Sequence, residues 1–178
     1  MEVVTKPKVT RFAQLQPGDL FIFQHPAGTS VAVKATDPVS DGDPLAVVVG
    51  PSFPVGPARP MLYNPSQTTV VSFGKDYTIR LPSSADGWRT NEPPAEADFI
   101  VVTDAGGVFL RANFRAPAAF SPCYVDMSSG EILCNKAGRQ YIEPREIKAF
   151  ALAWELLTNE QKPRPIFSYP IVGLIQSS

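Results

Sequence analysis

Short apolar runs alternate with turn residues along the chain, and residues 18–37 show this pattern most clearly. Residues 20–23 are apolar, residues 25–28 contain the proline and glycine that turns favour, and residues 31–34 form a second run rich in valine. This pattern predicts two β-strands joined by a turn. Residues 1–10, which precede it, are mostly polar, and we expect them to form an extended arm.

A similar pattern recurs in the second half of the chain, beginning at Ala97. Three apolar segments have counterparts there, in the same order and at similar spacing, which predicts an internal duplication. The alternative is a chance resemblance between two β-meanders, because alternating apolar strands and glycine turns are common. The matched segments are residues 19–23 with 98–102, residues 31–34 with 108–111, and residues 44–48 with 122–126.

Two more strand signals complete the first copy. Residues 68–73 and 77–81 predict a hairpin around the turn at residues 74–76. The copy then contains about five strands, which is the size of a small barrel. We therefore predict a mainly β protein built from two sequentially related small β-barrels or rolls, SH3-like by analogy.

The composition of residues 82–95, which is polar and rich in turn formers, predicts a linker between two domains. The first domain would span residues 1–81 and carry a proline-rich insertion at residues 51–67. The second domain would span residues 96–178. Its C-terminal end would differ from that of the first domain, because the sequence pattern there is different.

Residues 145–157 fit two kinds of secondary structure. Good helix formers and a stripe of helical period predict one short helix near the C-terminus, whereas bulky residues at alternate positions predict a strand. The duplication places the start of this segment over the strand at residues 77–81, so we favour a strand and keep the helix as an alternative. The helical stripe consists of Ile147, Phe150 or Ala151, Trp154 and Leu157, and the alternating set of Phe150, Leu152, Trp154 and Leu156.

The balance of charge narrows the classes of partner. Sixteen Lys and Arg residues against seventeen Asp and Glu residues give a formal net charge of -1, without a block of like charge that would bind nucleic acid or an anionic membrane. No segment approaches the roughly 18 apolar residues of a membrane helix, and residues 1–10 lack the apolar core of an export signal. We expect a cytoplasmic protein that binds neither nucleic acid nor membrane.

Cys123 and Cys134 flank a predicted hairpin. If residues 128–129 form a two-residue turn, Cys123 lies directly opposite Cys134. The same register sets Asp126 opposite Glu131, and repulsion between these like charges counts against it. We expect free thiols, because a cytoplasmic compartment is reducing.

Candidate catalytic and metal-binding residues are few. Two cysteines and one histidine cannot supply the four ligands of a structural zinc site, and no cofactor motif is present, so we expect neither a metal nor a cofactor. A mechanism with a histidine base must use His25. This gives one alternative function, a small hydrolase or lyase with a site between the two copies. We prefer to interpret His25 as an exposed turn residue, because no nucleophile motif accompanies it.

Proline occurs at every third position between residues 51 and 60. Polyproline II has three residues per turn, so these prolines would align along one edge of an extended rod. Pro54, Pro57 and Arg59 match the P-x-x-P-x-R pattern of ligands for proline-recognition domains, which gives recruitment through residues 51–60 as a second alternative function. The competing interpretation is a loop that packs against its own barrel.

Trp88 is the large apolar residue of the predicted linker. We expect its side chain to pack between the copies, because tryptophan is usually buried; the alternative is a binding residue that stacks on a ligand. The sequence contains no evident polar catalytic cluster. We therefore expect a non-catalytic protein-binding or assembly module that self-associates or binds a protein partner through exposed edge strands.

Overall fold

The computed structural model of the chain describes residues 7–25, 28–36, 44–48, 60–62, 68–90, 100–104, 106–116, 119–134, 147–151, 153–159 and 163–169. These residues are mainly β, as predicted, and their strands form three antiparallel sheets, none of which is closed. They also include the short 3-10 helices Phe12–Gln14 and Ala85–Gly87. The strands are β1 (Lys8–Arg11), β2 (Leu20–His25), β3 (Gly28–Thr36), β4 (Pro44–Val48), β5 (Pro60–Leu62), β6 (Thr69–Gly74), β7 (Tyr77–Arg80), β8 (Trp88–Arg89), β9 (Ile100–Thr103), β10 (Val108–Ala116), β11 (Ala119–Asp126), β12 (Ile132–Cys134), β13 (Ile147–Ala151), β14 (Trp154–Thr158) and β15 (Pro165–Tyr169).

The first two sheets have the same strand order. The sheet of the first half runs β1-β6-β2-β3-β4-β5, and the sheet of the second half runs β8-β13-β9-β10-β11-β12. In both sheets the first strand lies at one edge, the sixth strand lies beside it, and the second to fifth strands form a meander. The third sheet, β15-β14-β7, connects the halves, because β7 and β14 each follow the sixth strand of their own half.

The two meanders also pair in closely related registers. The residues of β3 and β10 that the sequence analysis matched, 31–34 with 108–111, occupy equivalent positions relative to β4 and β11. The match between β2 and β9 is shifted by one residue from the predicted one. The equivalent sets of cross-strand neighbours are Leu20, Val33 and Val47 in the first sheet and Ile100, Leu110 and Val125 in the second.

The alternative prediction of a helix within residues 145–157 is wrong for the described part of that segment. β13 pairs with β9 and β8, and β14 pairs with β7 and β15. Phe150, Trp154 and Leu156 are each at most 2% exposed, as the favoured alternation requires. Cross-strand pairing on both sides of each strand outweighs the helix propensity of the sequence.

The predicted hairpin of β6 and β7 is wrong, although both strands exist. β6 pairs with β1 and β2, whereas β7 pairs with β14. The chain leaves the first sheet at Gly74, which has a φ of 58°, and the Asp76 amide donates to the Phe73 carbonyl at 3.2 Å. This turn directs β7 towards a strand of the second half.

The two halves share a hydrophobic core, and none of the described sheets is closed into a barrel. One cluster of buried side chains combines residues from both six-stranded sheets with residues of β14. Two further clusters each belong to one half. The shared cluster consists of Leu20, Val31, Val33, Ala35, Val47, Leu110, Val125, Met127, Ile132, Trp154 and Leu156.

Candidate functional site

Of the predicted site residues, the structure describes the side chain of Trp88. Pro54, Pro57 and Arg59 lie outside the described residues. The main chain of His25 ends β2, where it pairs with Gly28, and its side chain is not described. The described residues therefore do not test the hydrolase and recruitment hypotheses, which remain predictions.

Trp88 is the first residue of β8, within the stretch that the sequence predicts to be a linker. It pairs with Ala151 of β13 and is partly buried. Its indole nitrogen Nε1 donates a hydrogen bond to the Pro82 carbonyl at 2.9 Å. The N–H group that could orient a ligand is therefore engaged by the chain itself.

The turn at residues 127–130 joins β11 to β12 and binds to the first half of the chain. The Tyr77 hydroxyl donates to the Met127 carbonyl at 2.7 Å, and the Lys75 ammonium donates to the Ser128 carbonyl at 3.0 Å. The Thr36 amide donates to the Gly130 carbonyl at 3.0 Å. We call these contacts the junction, and they fix one half of the molecule against the other.

Gly130 makes the closest approach within the junction. Its φ is 75°, and an added Cβ would lie 2.6 Å from the Lys34 carbonyl oxygen and would also clash with the Gly18 amide nitrogen. Both neighbours are main-chain atoms, which cannot move aside as a flexible side chain does. The junction therefore requires glycine at this position.

The register of β11 and β12 is the one that the sequence predicts, and Cys123 pairs with Cys134. The connecting loop has four residues, however, because the Asp126 amide donates to the Glu131 carbonyl at 3.0 Å. Asp126 and Glu131 therefore lie opposite each other, and their like charges do not prevent this register. An Asp126 carboxylate oxygen accepts hydrogen bonds from the Ser128 hydroxyl at 2.6 Å and from the Ser128 amide at 2.8 Å.

Two acidic side chains at the junction have perturbed pKa values: Tyr77, which belongs to it, and Asp126, which precedes the turn. Burial acts to raise the pKa of Asp126, but the hydrogen bonds from Ser128 and Ser129 outweigh it and hold that pKa below its usual value. Burial raises the pKa of Tyr77 to about 12, and the negative charges of Asp19 and Asp126 act in the same direction. Tyr77 therefore remains a neutral hydrogen-bond donor at physiological pH.

Lys34 lies buried next to the junction. Its ammonium donates to the Leu15 carbonyl at 2.5 Å and lies 5.3 Å from the centre of the Phe12 ring. Burial lowers its pKa, and the negative charge of Asp19 partly opposes this effect. Arg111 is also buried and occupies the matched position in the second half. The Lys34 ammonium thus donates its hydrogen bonds to main-chain carbonyl groups of the same chain.

The chemistry of the junction is structural, because its donors and acceptors bind main-chain groups and hold the two halves together. Among the described residues, no three His, Cys, Asp or Glu side chains lie together as a metal site would require. The same residues contain no helix long and apolar enough to cross a membrane. Comparison of the chain with known protein families, with curated proteins and with solved structures finds no match.

The outer edge of β1, which we call the β1 edge, is more accessible to a binding partner than the junction is. Within the described part of the chain, Val9 is the large hydrophobic residue with an exposed side chain, and it is 68% exposed. Lys8 and Arg11, on either side of it, are exposed cations. The sequence does not reveal this edge, because one valine within a polar segment gives no signal for the edge of a sheet.

Hydrogen bonds define which main-chain groups point outwards from the β1 edge. The Phe12 amide donates to the Thr68 carbonyl at 2.9 Å, and hydrogen-bonded pairs recur at every second residue of an antiparallel ladder. Thr10 therefore bonds to β6, while the N–H and C=O groups of Val9 point away from it. The outward amide of Arg11 donates to the Gln14 side chain at 3.4 Å. Val9 is thus the centre of the accessible edge.

Proposed function

We propose that this chain is a non-catalytic protein-binding or assembly module that self-associates through the β1 edge. The observation that carries this proposal is Val9, whose exposed side chain coincides with outward main-chain groups at the end of a six-stranded sheet. An edge strand of this kind can pair with a strand of another chain, since the main chain supplies hydrogen bonds and the exposed side chain supplies apolar contact.

Two copies related by a two-fold axis at Val9 would pair their β1 strands in an antiparallel register. Val9 of one copy then lies opposite Val9 of the other, which buries both side chains. Lys8 lies opposite Thr10, and Arg11 lies opposite Pro7, so that no two cations face each other directly. The cations of the two copies still approach diagonally, and we therefore expect added salt to strengthen the association.

In this proposal the two halves are sequentially related copies of an open, SH3-like roll. The common strand order of the two six-stranded sheets and their related registers support the duplication. So do the buried cations Lys34 and Arg111, at matched positions of β3 and β10. Each roll would bury one face against the other half of the chain, and its outer edge strands would stay available for pairing with another copy.

Sedimentation velocity over a range of protein concentrations tests the proposed function. We expect the sedimentation coefficient of the wild type to rise with concentration and that of Val9→Lys to stay at the monomer value. Ala13→Lys is the matched control, because Ala13 is exposed in the adjacent 3-10 helix but lies outside β1. It should associate as the wild type does. A monomeric wild type, or a Val9→Lys protein that associates normally, would contradict the proposal.

A further inference from the structure

The third sheet is asymmetric in a way that the rest of the fold is not. β14 has β7 on one side and β15 on the other. β7 has β14 on one side, and no described strand lies on its other side. Because β7 and β14 follow the sixth strands of two sheets with the same order, they are equivalent strands. The place of β15 beside β14 therefore has a counterpart beside β7, which we call the β7 edge.

The burial of the two equivalent strands differs accordingly. Trp154 and Leu156 of β14 are 2% and 0% exposed. Tyr77 and Ile79 of β7 and the adjacent Leu81 pack against the same core cluster, yet all three are only partly buried. The difference leaves apolar surface next to the β7 edge that a further strand would cover.

The main chain of β7 also offers hydrogen-bonding groups to such a strand. The Asn159 amide donates to the Asp76 carbonyl at 3.2 Å, and from there the register runs without a shift through the pair of Thr78 with Leu157. Hydrogen-bonded pairs recur at every second residue, so the N–H and C=O groups of Thr78 bond to β14. Those of Tyr77 and Ile79 point outwards, to the β7 edge.

We propose that the β7 edge binds an extended segment of a partner protein that carries an apolar residue facing the shared core, as β15 carries Ile166. This inference rests on the proposed function, since it assigns a second edge of the same module to strand pairing. β15 shows the chemistry that such a segment needs: it is extended, it pairs with β14 through its main chain, and Ile166 packs against the shared core. An apolar side chain of the partner would cover Ile79 in the same way.

Hydrogen exchange of the ¹⁵N-labelled full-length protein, followed by NMR, tests this inference. The probe is an acetylated and amidated peptide with the sequence of residues 163–169. We expect the amide of Ile79, which points outwards, to exchange about tenfold more slowly at nine-tenths saturation, because exchange then proceeds from the unbound fraction. The amide of Thr78, which already bonds to β14, should change little. The same peptide with Ile166→Asp is the matched control and should protect neither amide.

Protection of Ile79 by the first peptide and not by the control would support the β7 edge as a binding site. No protection at Ile79, or protection confined to β14 through displacement of the chain's own β15, would overturn it. The assembly proposal would survive either of these results, because its test measures the association of two copies at Val9 on a different sheet. Conversely, a wild type that stays monomeric would contradict the assembly proposal but would not change the result of the peptide experiment at Ile79.

Discussion

The Tyr77 hydroxyl donates a hydrogen bond of 2.7 Å to the carbonyl oxygen of Met127, which lies in the other half of the chain. The same hydroxyl lies 3.2 Å from the carbonyl oxygen of Gly18. One side chain thus connects β7, the entrance to β2 and the loop after β11. The relative position of the two halves depends on this junction as well as on the shared core.

Replacing Tyr77 with phenylalanine removes the hydroxyl and leaves the ring in place. We expect Tyr77→Phe to lower the free energy of unfolding by about 1 to 2 kcal/mol at neutral pH, because the partly buried Met127 carbonyl loses its donor. Urea denaturation followed by fluorescence measures this loss. A variant as stable as the wild type would show that the hydrogen bond does not stabilise the junction.

The raised pKa of Tyr77 predicts how the stability of the fold changes in alkaline solution. Below the ordinary pKa of 10.0 the hydroxyl is protonated in both the folded and the unfolded state. Between pH 10.0 and about 12 the unfolded state releases this proton and the folded state keeps it, so the stability that the neutral hydroxyl contributes is lost as the pH rises through this range. Tyr77→Phe should lack this part of the decline. Parallel stability curves for the two proteins between pH 9 and pH 12 would contradict the assignment.

Gly130 should not tolerate a side chain. A Cβ at this residue would meet the Lys34 carbonyl oxygen at 2.6 Å, so we expect Gly130→Ala to destabilise the fold by about 3 kcal/mol or more through overpacking and backbone strain. The matched control is Gly106→Ala, because Gly106 has a similar φ of 76° and no atom within 4 Å of its added Cβ. That control should cost only about 1 kcal/mol. Equal losses for both variants, measured by thermal unfolding, would exclude the close contact at Gly130.

Leu156 should contribute more to the contact between β7 and β14 than the ion pair on the same strands. Leu156 is fully buried in the shared core and pairs with Ile79, so we expect Leu156→Ala to cost about 2 to 5 kcal/mol. Arg80 lies 3.1 Å from Glu155, but their side chains are 59% and 34% exposed, and Arg80→Ala should cost less than about 1 kcal/mol.

Leu156→Ala, compared with the wild type, also tests whether the halves unfold together. A shared core predicts a single cooperative transition in urea for the wild type and for Leu156→Ala, because neither half can keep its buried surface without the other. Two separate transitions, with Leu156→Ala shifting only one of them, would mean that each half folds around its own core.

Local sequence patterns were sufficient for most strand positions and for the register of one hairpin. A two-residue turn at residues 128–129 predicts the pairing of Cys123 with Cys134, and the structure has that pairing. The loop length was wrong, because the hydrogen bonds from Ser128 to the Asp126 carboxylate stabilise a four-residue loop in the same register. The predicted register is therefore correct although the predicted turn length is wrong.

Contacts between distant parts of the chain could not be predicted. The sequence pairs β6 with β7 because they are adjacent, whereas β7 pairs with β14, and no pattern near residue 77 indicates that partner. The approach of Gly130 to Lys34 likewise depends on how two sheets face each other. The predicted sites at His25 and at residues 54–59 remain predictions, because their side chains lie outside the described part of the chain.

The measurement that tests the central claim most directly is a charge exchange at Val9, followed by sedimentation velocity. If two copies pair with Val9 opposite Val9, Val9→Lys and Val9→Glu should each be monomeric, because like charges then face each other. An equimolar mixture should associate again at low ionic strength, because lysine then faces glutamate, and the mixed dimer should weaken as salt is added. A mixture that stays monomeric while the wild type associates would contradict pairing of two copies at Val9.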